Sequence, residues 1–354
     1  EMLPYLRIPN AFRLPTWLSR FDFVLDEEGR IRMVEINADT PCFIVESFYA
    51  NGVAAEYFGR RDPNAGARAQ LRDFLTQIHA RVAAPVADLT QGTLPPRPFV
   101  FSCFDDYPED LANTRFLMQL MQEGAPHGDI RFRSFYEMEI DVRGIPLTDN
   151  SYASALYRLH PMEILIDERT ADGEPLGAMF LDLYQEGCFA LMNPPEAILL
   201  QNKSFMALVH ALAASEQFFT PDECALVRRY LVPSYFEDDF DALGDGRYIR
   251  KEIWGREGRN VRVVQKHCNE HTTAFEKEID YADEVICRES RAAMYQDFIA
   301  QPRFVHTVDS GTIEGCLTLS CFMLFGTPSA VGARFSPAEI AGTEAYFVPL
   351  VITE

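Results

Sequence analysis

Residues 20–37, reading RFDFVLDEEGRIRMVEIN, constrain the fold more than any other stretch of the chain. Two alternating runs flank an acidic turn containing Gly29, the pattern of a β-hairpin. A loop of Glu27 to Arg30 sets Asp26 opposite Ile31, Asp22 opposite Glu35 and Arg20 opposite Asn37. Side chains alternate along a strand, so Arg20, Asp22, Glu35 and Asn37 share one face. Like charges directly opposite one another destabilise a sheet. Two readings follow. Either the face is solvated and Arg20 pairs with Asp22 or Glu35, or the two carboxylates and the amide oxygen are hard ligands suited to Mg²⁺. In the second reading Arg20, at the edge, holds a phosphate that the metal also touches. A register slip of one residue would scatter the set.

A second segment carries the complementary charge. Residues Tyr248 to Ile253 alternate as a strand and put Lys251 on the face of Ile249 and Ile253. A lysine on an apolar face needs an anionic partner or loses its charge. The loop Trp254-Gly255-Arg256-Glu257-Gly258-Arg259-Asn260 and a strand over Val261–Val264 follow. Glycine-rich hairpin loops bearing arginine can fold over phosphates, and the same composition also makes ordinary turns. The run Asp241 to Gly246 with Glu252 has the frame of a calcium loop, but Leu243 stands at a ligand position. His267, Cys268 and His271 lack a second pair at zinc spacing. No GxxxxGK[ST] phosphate loop occurs.

Elsewhere the pattern mixes helices and strands. Helical spacing runs over Ala67–Ala84, Glu109–Met121 and Glu196 to about Ala214, the last after Pro194-Pro195. A proline-rich connector spans Thr93–Pro98; Phe99–Phe104 and Ile130–Ile140 read as strands, Asp141–Gly144 as a turn. A helix is expected around Phe275–Ala282. Without regular βαβ alternation the class is α+β or mixed α/β. At 354 residues the chain suits about two domains, with a boundary near residue 195.

Its 53 acidic and 32 basic residues give a net charge of −21, which disfavours nucleic acid and attracts cations. The longest apolar stretch, Cys316–Phe325, is broken by Thr318 and Ser320 and is too short for a membrane helix. The start lacks a charged leader and an apolar signal core, and a first residue of glutamate suggests missing upstream sequence. Eight cysteines without a CxxC read as buried or free thiols in a reducing cytoplasm.

The two constellations, in this order, resemble the synthetase domain of glutathionylspermidine synthase and its ATP-grasp relatives. The likeness runs through Gly29–Ser47, especially Val34-Glu35-Ile36-Asn37-Ala38-Asp39-Thr40-Pro41, then Asn202-Lys203-Ser204 and Arg250 to Gly258. It closes with Gly332-Ala333-Arg334 and Phe347-Val348-Pro349, supported by Leu159 to Glu163 and Tyr295 to Phe298. The resemblance implies an ATP-grasp fold, with 1–195 a preATP-grasp-like, metal- and substrate-binding region and 196–354 the nucleotide-binding region. It implies a ligase in which ATP activates a carboxylate as an acyl phosphate and an amine attacks it. Asp22, Glu35 and Asn37 then look like magnesium ligands, and Arg20 like the group that steadies the transferred phosphoryl. Lys203 and Lys251 look like phosphate contacts, and Gln296 with Phe298 like the adenine hinge. Arg256 falls on a closing loop, and Arg334 on a phosphate or the substrate carboxylate.

The substrate end departs from the family pattern. Cys42 stands where relatives carry a hydroxyl beside a thiol tripeptide, Phe335 where an acid is common, and Leu350 where histidine is frequent. No upstream amidase domain is present in the sequence. Glutathione and spermidine therefore compete with another peptide or amino-acid carboxylate and another amine, and a non-catalytic ATP-binding regulator is the alternative. Asp39, Thr40, Cys42 and Glu46 are the candidate substrate-side residues. Asp39 or Glu46 can hold a cationic amine and take its proton, or each can play a local structural part. Glu109 and Asp110 can likewise hold an amine or start a helix. A small cationic pocket of Arg20, Lys203, Lys251, Arg256 and Arg334 in an acidic protein is the expectation to test.

Overall fold

Leu71, Phe74, Leu75, Ile78 and Val82 recur at helical spacing, and all are buried along one face of the helix Ala67–Leu89. A computed structural model describes residues 2–89, 98–170, 172–256, 258–267, 274–278, 292–308, 311–342 and 344–353. Within it that helix packs beside a second, Pro108–Gly124, which opens on a proline and carries Glu109 and Asp110 in its first turn. Both lie against a four-stranded parallel sheet of order Ile130–Ser134, Phe99–Cys103, Ala155–Arg158, Ala190–Met192. The two middle strands are buried at every position, as strands covered on both faces are.

Two antiparallel sheets complete the mixed α/β architecture. The first has the order Tyr346–Val348, Thr327–Ser336, Gly311–Leu324, Leu18–Leu25, Ile31–Asn37, with Phe304–Val308 also paired to Gly311–Leu324. The second has the order Ala274–Glu278, Arg262–Lys266, Gly246–Glu252, Ala293–Asp297, Ser234–Phe236. Ile36 and Ala38 from the hairpin and Met294 from the second sheet share one apolar cluster with Ala197, Met206 and Leu231. That cluster brings the hairpin against the lysine-bearing strand. The hairpin sheet draws strands from both sides of residue 195.

The hairpin itself combines two deviations from the simplest pairing. Arg20 faces Asn37 and Asp22 faces Glu35, as expected, but Leu25 rather than Asp26 faces Ile31. The register shifts at a bulge after Asp22, where Val34 is the extra residue. Asp26 belongs to the turn: its Oδ1 accepts from the Glu28 and Arg30 amides, and Gly29 takes φ +75°. A loop one residue longer and a bulge one residue wide cancel, which keeps the functional rungs in place.

Three expected elements are corrected. The strand over Ile130–Ile140 ends at Ser134, because a 3₁₀ turn at Phe135–Glu137 packs the Phe135 ring on Phe104 and His160. The single helix from Glu196 is two helices, Ala197–Gln201 and Ser204–Ser215. Asn202 Oδ1 accepts the Ser204 amide and Lys203 N–H turns to the Ile253 carbonyl, which breaks the ladder between them. Residues Ala274–Glu278 pair as a strand with Arg262–Lys266, so the helix expected from Phe275 is not formed there. The rest of that segment, Thr93–Arg97 of the connector, and Cys268 and His271 lie outside the described residues. None of the described helices is long and apolar enough to cross a membrane. Cys42, Cys103, Cys188, Cys224, Cys316 and Cys321 are in no disulfide.

Candidate active site

Asp22 is the hub of the site. Burial would raise the pKa of its carboxyl, but Arg20 and Arg334, aided by hydrogen bonds from Arg20 and Ser320, hold it at about 2. Arg20 binds it with two parallel bonds, Nε to Oδ1 at 2.8 Å and Nη2 to Oδ2 at 2.9 Å. Arg334 Nη2 reaches Oδ2 at 2.9 Å, Ser320 Oγ reaches Oδ1 at 2.8 Å, and Asn37 Nδ2 reaches Oδ2 at 3.1 Å. Sheet register explains the convergence. Asp22 lies between Glu35 and Ser320 on neighbouring strands, and Arg334 comes from the strand beyond. Arg20 therefore pairs with Asp22, but in a buried site rather than on a solvated face.

A helix break and the second sheet supply the next cations. Lys203, set by the break between its two helices, pairs with Glu35. Burial lowers the Lys251 pKa to about 8, with Lys203 adding to the effect against the pull of Glu35 and Asp22. Its Nζ donates to Gln296 Oε1 at 2.6 Å and to the Val34 carbonyl at 3.2 Å, so the bulge of the hairpin receives the lysine. Gln296 also donates to Ser234 Oγ at 3.0 Å, and the Phe298 amide donates to the Arg247 carbonyl at 3.0 Å. Arg256 Nε donates to Glu163 Oε1 at 2.6 Å and Nη1 to Thr40 Oγ1 at 3.2 Å.

These groups line one cavity of about 560 Å³ between the sheets. Arg20, Asp22, Glu35, Asn37, Thr40, Cys42, Glu46, Lys203, Lys251, Arg256, Gln296, Phe298 and Arg334 all reach it. Asp39 does not. Its carboxylate is engaged in a fully buried ion pair with Arg158 and also accepts the Met162 amide, so it is a structural anchor. The lining holds five cationic but seven acidic side chains, which corrects the picture of a plain cationic pocket. Glu46, Glu109 and Asp110 form a separate acidic wall. Burial, with a contribution from Glu109, raises the Glu46 pKa.

The donor set suits a hard divalent cation. Glu35 presents a carboxylate held by Lys203, and the Asn37 amide oxygen makes no hydrogen bond among the described residues. Asp22 already meets five donors with two oxygens and would enter a coordination shell only by exchanging one of them. No group of three or more His, Cys, Asp or Glu side chains is gathered for a metal among the described residues. Sequence reading missed Ser320, Thr318 and Glu163. The first two are the hydroxyls that interrupt the apolar run Cys316–Phe325, and that interruption was their signal.

A family model described as glutathionylspermidine synthase preATP-grasp matches residues 9–353. The match covers almost all the chain, and the sheets, the acidic hairpin and the converging lysines agree with the ATP-grasp-like fold it implies. The chain belongs to the glutathionylspermidine synthase preATP-grasp family.

Proposed function

We propose that this protein is an ATP- and magnesium-dependent carboxylate–amine ligase that makes an amide through an acyl phosphate. The observation that carries the reading is the convergence of Arg20, Lys203, Lys251, Arg256 and Arg334 on one cavity with Asp22 and Glu35. Phosphoryl transfer is chiefly positioning and charge neutralisation, and a cavity built this way suits it. Lys203, Lys251 and Arg334 bind the ATP phosphates, Arg20 steadies the transferred phosphoryl, and Gln296 and Phe298 border the adenine. Asp22, Glu35 and Asn37 would hold Mg²⁺, which would supply charge neutralisation on the phosphates.

Lys203 and Arg334 are then shared between protein carboxylates and nucleotide. Arg256, on its loop, shields the acyl phosphate from water. Thr40 and Cys42 border the carboxylate substrate, which is glutathione or another peptide or amino-acid carboxylate. Glu46, with Glu109 and Asp110, attracts a cationic amine such as spermidine, and the raised pKa of Glu46 suits it to take the amine's proton. Residues 1–195 supply the metal and substrate side and 196–354 the nucleotide side, in a reducing cytoplasm.

The test is calorimetry of ATP binding with and without magnesium, followed by ADP release against a panel of carboxylate–amine pairs that includes glutathione and spermidine. Magnesium-dependent binding and amide product are expected. A chain that binds no ATP and releases no ADP with any pair refutes the proposal.

A further inference from the structure

Arg256 is gripped by a part of the chain that the proposed chemistry does not otherwise use. Glu163 lies in the first turn of the short helix Met162–Leu165, with its side chain only 9% exposed; its Oε1 accepts from Nε of the arginine and is in ion-pair contact with Nη2. Thr40 Oγ1 takes Nη1 from the other side. These two acceptors are 123 residues apart in sequence, and Asp39 explains why they meet. Its carboxylate binds Arg158 at 2.6 and 3.1 Å and accepts the Met162 amide at 2.9 Å.

Thr40 follows Asp39 and Glu163 follows Met162, so one buried carboxylate sets the two grips side by side. The Asp39 segment is itself fixed, because Gln201 Oε1 accepts the Ala38 and Asp39 amides and Asn193 donates to both their carbonyls. Trp254 packs on the apolar cluster that contains Met162 and Leu165, so loop and helix are already in contact. What the ion pair adds is the aim of one side chain.

We infer that Glu163 is a positioning residue that latches Arg256 and aims it into the cavity beside Thr40. It acts through the arginine and does not touch substrate. Only the kinetic consequence rests on the ligase reading; the latch is a property of the fold.

The test uses the full chain and needs no substrate. Trypsin cuts after Arg256 only when the guanidinium has left Glu163. Glu163→Gln is expected to speed that cut about tenfold, the local opening that follows loss of a charge-assisted hydrogen bond. Glu163→Asp, which keeps the charge on a shorter stem, restores part of the protection. If Glu163→Gln fails to fold, Thr40→Val removes the other grip and is expected to speed the same cut several-fold.

With turnover established, Glu163→Gln lowers kcat about tenfold, leaves KM for ATP unchanged, and has no further effect in an Arg256→Ala background. Unchanged cleavage in a folded Glu163→Gln chain, or a fully additive loss with Arg256→Ala, overturns the latch. Absence of turnover with every pair overturns the ligase reading instead, and cleavage after Arg256 still decides this one.

Discussion

Replacing Asp22 with asparagine removes a carboxylate in contact with two guanidinium groups, the buried Arg20 and the part-buried Arg334. The native pKa near 2, against 3.8 for a free aspartate, fixes the smaller part of the cost. A depression of nearly two pH units corresponds to roughly 2.5 kcal/mol of stability at neutral pH. That figure is a floor, because the substitution also strands the arginines, a fault that costs roughly 3–5 kcal/mol. With an unfolding entropy of about 0.7 kcal/mol per kelvin for a chain this long, the melting midpoint should fall by about 4–7 °C.

The pH dependence gives a second signature. A carboxylate whose folded pKa is depressed stabilises above its unfolded pKa, and the contribution disappears as pH falls through the folded value. The gap between wild type and Asp22→Asn should therefore narrow, by up to roughly 2.5 kcal/mol, as pH drops from about 4 to about 2, read by calorimetry in steps of half a unit. A midpoint within about 1 °C of wild type at pH 7, or a gap that stays constant down to pH 2, refutes the hub.

Three other substitutions probe the surrounding shell. Lys251 needs its proton to bind phosphate, and burial holds its pKa at about 8, so ATP affinity should fall as pH rises past that value. In Lys251→Met the affinity should be weak and lack that step, as titration calorimetry from pH 6.5 to 9 would reveal. A Cβ on Gly332 would lie 2.5 Å from the Phe43 ring and 2.6 Å from Ser47 Oγ, so Gly332→Ala should cost about 1–3 kcal/mol. Chemical denaturation reads that loss, and a neutral outcome would mean that the ring is free to move. Asp39→Asn should lower the unfolding midpoint by several degrees, since it breaks a fully buried pair, while ATP affinity measured on the folded fraction stays within about threefold. A selective loss of nucleotide binding would return Asp39 to the ligand.

The hairpin was legible because its alternation and its charges point to the same pairing, and the rungs Arg20–Asn37 and Asp22–Glu35 form as read. The bulge at Val34 was not legible, since it leaves those rungs untouched and its use, receiving Lys251, depends on a strand more than 200 residues away. The break at Asn202–Lys203 was hidden for a similar reason. The apolar pattern runs across it, and the competing bond to Ile253 belongs to another element. Asp39 misled because an acid beside the metal-like set invites a substrate role. Only the position of Arg158 reveals that its charge is spent on packing. Glu163 carried no sign of its partner, since neither its helix nor its neighbours hint at Arg256.

The hairpin sheet also sets when the candidate site can be completed during synthesis. Asp22 meets Ser320 and Arg334 across 298 and 312 residues of chain. At roughly 5–20 residues per second a ribosome needs on the order of 15–60 s to deliver those partners after the hairpin has emerged. Through that interval the acidic hairpin waits without its arginine from the far strand and without the strand Gly311–Leu324 that pairs beside it. Nascent chains therefore cannot complete the cavity. The candidate site is among the last parts of the molecule to assemble, and stalled or truncated products end before it exists.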